Sequence, residues 1–183
     1  MSLSSSITID QRFMMLPVML RCTAKLLTLL GVSSRELADV EPRDTDWYAN
    51  LLWIDRRKCV LFAHADTLFT ILAADVRKAD LAPLAPFVVG AIKAELRSER
   101  LPTDTFGDLD ASGVQIARTA SRTVLGYMNE VARSCEYWIA EAGGLRWCDI
   151  AQINRDLRRE LHLSRQPPGH FVPIDLVRSR SRP

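Results

Sequence analysis

Two guanidiniums flanking an amide on one helix face can hold a phosphate or a carboxylate, and residues 122–136 carry that arrangement. Arg122, Gly126, Asn129, Arg133 and Glu136 follow at spacings of four, three, four and three, so on a helix they share a narrow arc. Each Arg offers a planar fork of donors, Asn129 adds a donor and an acceptor, and Gly126 permits close approach. The same arc is what an amphipathic helix turns to solvent, with an Arg133–Glu136 pair upon it. Asn50 is a further candidate. It sits in an apolar strand with Tyr48, Leu52 and Ile54 on its own face, where an amide needs partners or costs about 1–3 kcal/mol. Asn50, Arg122, Asn129 and Arg133 are therefore the ligand-binding candidates.

Charge marks a second group. Arg56, Arg57 and Lys58 put three cations on one predicted hairpin turn, where phosphates can be reached. The chain as a whole is near neutral, with 24 basic and 22 acidic residues. From Arg146 to Pro183, however, eight Arg stand against four acids, a net of +4, which leaves 16 − 18 = −2 for the rest. The ending Arg178-Ser-Arg-Ser-Arg-Pro183 concentrates that charge. A basic end can bind a polyanion or simply be a solvated terminus. Arg56, Arg57, Lys58, Arg178, Arg180 and Arg182 are the polyanion-contact candidates.

The familiar catalytic patterns do not occur. Three histidines, His64, His162 and His170, are the available bases. Cys59 and His64 are an odd number apart on one predicted strand, so they point to opposite faces and cannot form a nucleophile–base pair. There is no Gly-x-Ser-x-Gly elbow, P-loop or Gly-x-Gly-x-x-Gly turn. His64 and Asp66 could supply two metal ligands, without a third, and a turn histidine bonded to solvent is the expected state. Cys22, Cys59, Cys135 and Cys148 are too far apart for a zinc ribbon or a redox pair, and read as reduced thiols, three of them within apolar patterns. No catalytic residue, metal or cofactor is implied.

These residues need elements to position them. Val18–Cys22 reads as a strand and Thr23 as the N-cap of a helix ending at Gly31. Trp47–Ile54, Cys59–Ala63 and Thr67–Ala73 are apolar runs separated by polar turns at Asp55–Lys58 and His64–Asp66, the pattern of a meander. Helical spacing predicts helices over Leu81–Leu101, over Arg122–Ala142 capped by Ser121 and closed by Gly143-Gly144, and after Asp149 with Ile150, Ile153, Leu157 and Leu161 on one face. Gly113–Thr119 reads as another strand, and His170–Ile174 as an edge strand. The expectation is an α+β fold, an antiparallel β-meander covered by a single layer of amphipathic helices. Residues 1–17 would be a flexible arm, 18–176 one domain, and 177–183 a disordered basic tail. With no signal sequence and no long apolar run, the expected location is cytoplasmic, away from the membrane.

Three stretches together look familiar: Arg21-Cys-Thr-Ala-Lys-Leu-Leu27, Trp47-Tyr-Ala-Asn-Leu-Leu-Trp-Ile-Asp-Arg-Arg-Lys-Cys-Val-Leu-Phe62 and Arg122-Thr-Val-Leu-Gly-Tyr-Met-Asn129. They resemble an uncharacterised family of bacterial and archaeal proteins of about this size, from roughly Met19 to Ile174. The resemblance implies kinship and carries no reaction or catalytic residue, but it includes Asn50, the basic hairpin and the Arg122/Asn129 face. Three functions are open on these grounds. One is a small binding or regulatory module that contacts a polyanion such as nucleic acid. Another is an enzyme or ligand-binding domain for a small anionic substrate, built on Asn50, Arg122 and Asn129. The third is a homo-oligomeric protein-interaction domain using Trp47, Trp53 or Trp147.

Overall fold

The computed structural model describes residues 18–110, 113–165 and 168–180. The expected arm over residues 1–17 and Arg182 of the expected tail lie outside them.

Strands β1 (Met19–Cys22), β2 (Trp47–Ile54), β3 (Arg57–His64), β4 (Thr70–Ala73) and β5 (Gln115–Arg118) form one sheet in the order β4-β3-β2-β1-β5. β2, β3 and β4 pair antiparallel, as the alternation of apolar runs and polar turns predicts. β1, however, lies parallel to both β2 and β5, so the sheet is mixed rather than a pure meander. The reason is in the connections. Helix α1 (Ala24–Leu30) and a long loop separate β1 from β2, which gives the chain enough length to cross over and re-enter in the same direction.

A second correction concerns the layers, because helices cover both faces of the sheet. Trp47, Ala49 and Leu51 of β2 join Val60 and Phe62 of β3 in a core closed by α1, by α2 (Leu84–Ser98) and by α5 (Pro173–Arg180). Tyr48, Leu52 and Ile54 join Cys59, Leu61 and Ala63 in a second core under α3 (Arg122–Glu141) and α4 (Ile150–Leu157). Neighbouring residues such as Leu51 and Leu52, or Leu61 and Phe62, thus serve opposite cores. That explains why these strands are continuously apolar instead of alternating.

Local signals place the helix ends. Ser121 Oγ accepts from Val124 N at 3.3 Å and Asp149 Oδ1 from Gln152 N at 3.1 Å, as N-caps do. Thr23 occupies the cap position of α1, but its hydroxyl donates to Asn50 Oδ1 instead, at 3.0 Å. Near the C-terminus, the expected edge strand is divided. β7 (Pro168–Phe171) pairs only with β6 (His162–Arg165), and Pro173 opens α5, the helical position where a missing N–H costs nothing. The segment expected to be a disordered tail is helical through Arg180.

β4 is one edge of the sheet, and polar side chains cover it. Asn154 of α4 accepts from Leu72 N at 2.7 Å and donates to Leu72 O at 3.2 Å, standing in for a neighbouring strand. Arg158, fully buried at the end of α4, donates through Nε and Nη2 to Glu99 Oε1 at 3.0 and 2.9 Å, and through Nη1 to Thr70 O at 3.3 Å. Its Nη1 also lies 2.9 Å from Glu95 Oε2. Burial alone would raise the Glu99 carboxyl, but hydrogen bonds and charge from Arg159 and Arg158 outweigh it, so the group sits below its ordinary range. Removing Arg158 would leave Glu99 to Arg159 and Arg178 at the surface, and would take from Glu95 and from the buried Thr70 carbonyl the guanidinium that serves them. Arg158→Met is expected to lower stability by about 3–5 kcal/mol in urea denaturation, with the midpoint shifted and the slope retained.

Candidate functional site

Hairpin arithmetic sets the geometry of the basic turn. Ile54 pairs with Arg57 and Trp53 with Lys58, so the turn has two central residues, Asp55 and Arg56. Both have positive φ, 49° and 62°, as a type I′ turn requires. The Asn-Gly signature of such turns is absent, which is why the sequence alone shows a four-residue polar turn at Asp55–Lys58. The cross-strand register brings the Lys58 ammonium over the Trp53 ring at 4.9 Å. Arg57 turns instead to Asp75, at 2.5 Å, with both groups exposed. Arg56, at the tip, has no ion pair or hydrogen bond among the described residues.

The turn is docked against the end of α3. Asp55 Oδ2 accepts from Leu145 N at 3.1 Å. A side chain on Gly144 would meet the Asp55 carboxylate at 2.9 Å, and the φ of Gly144 is +115°, so only glycine fits there. The 3-10 turn that follows, Leu145–Trp147, carries Arg146 with its guanidinium 4.4 Å above the Trp147 ring. Trp53 is 58 % exposed and Trp147 65 %. This end of the sheet therefore carries two open indole rings, each with a cation beside it: Trp53 on the sheet face opposite α3, and Trp147 on the α3 side, with Arg56 at the turn between the strands. Trp53 was singled out in the sequence only as a possible interface residue, and its pairing with Lys58 follows once the turn is read as two residues. Arg146 and Trp147 come into play only because Gly143-Gly144 folds the end of α3 onto Asp55.

The other candidates lie elsewhere. Ser121 N donates to the Tyr48 hydroxyl at 3.1 Å, so α3 runs beside β2 from Tyr48 to the hairpin. Its buried side, from Val124 to Ile139, faces the sheet, while Arg122, Gly126, Asn129 and Arg133 are on its exposed side. Asn50 belongs to the sheet face beneath α3, is half-buried, and has Thr23 as its partner. Asn50 is thus separated from the arginine face by the helix and its core side chains. Arg178 lies 3.8 Å from Glu99 and 4.0 Å from Asp175, and Arg180 pairs with Asp66. Asp66 follows the far end of β3, whose eight residues span about 26 Å. The α5 arginines and the basic hairpin are therefore at opposite ends of the sheet.

His64 is not a solvated turn residue. It is 4 % exposed, 5.3 Å from the Trp47 ring and 4.5 Å from Phe106 between centroids. Cys59 belongs to the opposite core, as the odd separation requires. All four cysteines are free, and burial pushes Cys22 and Cys135 up to about 12, far from a reactive thiolate. Among the described residues no group of three or more His, Cys, Asp or Glu could hold a metal, and no helix is long and apolar enough to cross a membrane.

A core of aromatic-flanked β-hairpins and two helical layers is thus the scaffold, and its hairpin end is the candidate site. Residues 19–176 match the family described as Domain of unknown function (DUF6933). The chain belongs to that family. No curated protein and no solved structure is significantly similar to it.

Burial, aided by the nearby Arg180 charge, pushes the His64 imidazole down to about 3. In the unfolded chain it returns to its ordinary value near 6.5. Between these values the unfolded chain binds the extra proton, so acidification below about pH 6.5 costs stability and the loss continues toward pH 3. Chemical denaturation at pH 7 and at pH 5 should show this group contributing a decline of up to about 1.4 kcal/mol per pH unit. His64→Asn, which keeps an acceptor near the position of Nδ1, should flatten that slope.

Proposed function

We propose that this domain binds single-stranded nucleic acid at the β2–β3 hairpin end. The observation that carries the reading is the presence at this end of two exposed indoles, Trp53 on the sheet face away from α3 and Trp147 on the α3 side, with Lys58 and Arg146 beside the rings and Arg56 unpaired among the described residues at the turn. Bases stack on open aromatic rings whatever their sequence, and adjacent cations neutralise the backbone. A duplex hides its base faces, so this surface suits a single strand better than a double one. No recognition helix or groove-filling element is required of such a site, and the modest net charge is consistent with a short contact of a few phosphates.

Arg178 and Arg180 do not belong to this surface, because they lie at the far end of β3 and are engaged with acids. The proposed contact set therefore keeps Arg56 and Lys58 from the sequence candidates and adds Arg146, with Arg57 engaged by Asp75.

Fluorescence anisotropy with labelled single-stranded DNA and RNA, across a salt series, tests the proposal. Trp53→Ala and Trp147→Ala should each weaken binding by about 1–3 kcal/mol. Arg56→Gly should lower the salt slope by about 0.7, one phosphate's share on a single strand. The same change relieves a non-glycine residue of positive φ, so the protein should become more stable by about 1 kcal/mol while it binds less well. Loss of binding in that variant is then not attributable to unfolding. Absence of binding at low salt would end this reading.

A further inference from the structure

At the opposite end of the sheet the chain forms a cleft of about 280 Å³ between the end of β3, the loop around Phe106, and α5. A space of that size suits a small molecule only. Its walls include Thr45, His64, Thr105, Phe106, Val177 and Arg180.

The state of His64 follows from its partners. Thr67 N donates to His64 Nδ1 at 3.3 Å, and the Thr67 hydroxyl lies 3.1 Å from the same nitrogen. That hydroxyl already accepts from Phe69 N, so it is free to donate to the ring. With Nδ1 occupied as an acceptor, the neutral ring carries its proton on Nε2. Nε2 has no partner among the described residues, and it is not among the sealed polar atoms of the core, so its N–H is available to the cleft. Trp47 and Phe106 hold the ring in place on two sides. A buried, oriented and unused donor is a feature that calls for an acceptor.

Arg180 supplies a charge beside it. The guanidinium is paired with Asp66 but half-exposed, and it has five donors, more than one carboxylate can occupy. Thr105 Oγ1 donates to Pro102 O at 2.6 Å, which leaves its lone pairs toward any ligand hydroxyl. Phe106 and Val177 offer apolar contact to a ligand body.

We infer that this cleft binds a small molecule bearing a single carboxylate, with the carboxylate bridging His64 Nε2–H and Arg180 and the apolar part against Phe106 and Val177. One charge is the better match, because the cleft has one neutral donor and one cation already shared with Asp66. A phosphate dianion would bring a second negative charge with nothing to offset it. The site is independent of the hairpin, some 26 Å away along β3 by strand rise.

The test uses the full chain and three probes: acetate, benzoate and inorganic phosphate. Long-range proton–nitrogen NMR follows the His64 ring nitrogens, while thermal shift reports binding. The expected result is a saturable shift of His64 Nε2 with benzoate in the millimolar range, weaker with acetate for lack of the ring contact, and absent with phosphate. Arg180→Gln, at a half-exposed position, should weaken benzoate by about tenfold or more, as removal of a charge-assisted bond does. His64→Asn keeps the acceptor toward Thr67 and removes the donor, and should weaken it likewise. No shift at His64 with benzoate, equal affinity in the Arg180 variant, or phosphate binding more tightly than benzoate would each overturn the inference.

Discussion

The buried Arg158–Glu99 pair is the contact on which the two halves of this protein depend. Helices α2 and α5 cover one face of the sheet and α4 the other, and these layers meet at the edge of β4. Arg158 spans that edge. Its guanidinium joins Glu99 and Glu95 of the α2 region to the Thr70 carbonyl of β4, stacks 4.9 Å from the Phe69 ring, and its own carbonyl accepts from Ile174 N of α5. A charge taken out of water at such cost is tolerable only because every part of it is used. Asn154, one helical turn earlier, continues the same seal along Leu72.

A second buried arginine does comparable work across the parallel strands. Arg21, in the middle of β1, places Nε 2.5 Å from Asp46 Oδ2 and donates to the carbonyls of Arg118, Val40 and Glu41. It thereby ties β5 and the long α1–β2 loop to the strand between them. The half-buried and exposed loop residues Val40 and Glu41 are held to the sheet through their carbonyls. The guanidinium lines a cleft at that end, but four of its donors are already committed, so its role there is architectural.

With the sheet held in this way, its two ends are left to differ. The hairpin end is open, aromatic and cationic, formed by a tight turn and the docked end of α3. The other end is enclosed, with a neutral histidine and a partly neutralised arginine around a small cleft. Exposed rings and unpaired cations favour a flexible polyanion, whereas an oriented buried donor favours a compact ligand.

The sequence by itself determined the elements whose signals are local. The 3.6 period from Val124 to Ile139, the Ser121 and Asp149 caps, Gly31 at the end of α1, and the apolar runs of β2 to β4 were all legible, because each rests on contacts within a few residues. The opposite faces of Cys59 and His64 followed from strand parity alone. Only the tertiary structure decided the rest. The second helical layer was hidden because a strand buried on both faces has no alternation to read, and the parallel entry of β1 because pairing partners far apart in sequence leave no local mark. Nothing local marks Arg21 or Arg158 as buried, since their partners are 25 residues and 59 residues away. The docking of the hairpin turn onto Leu145, and the meeting of His64 with Arg180, likewise depend on which distant segments meet, and composition and periodicity carry no information about that.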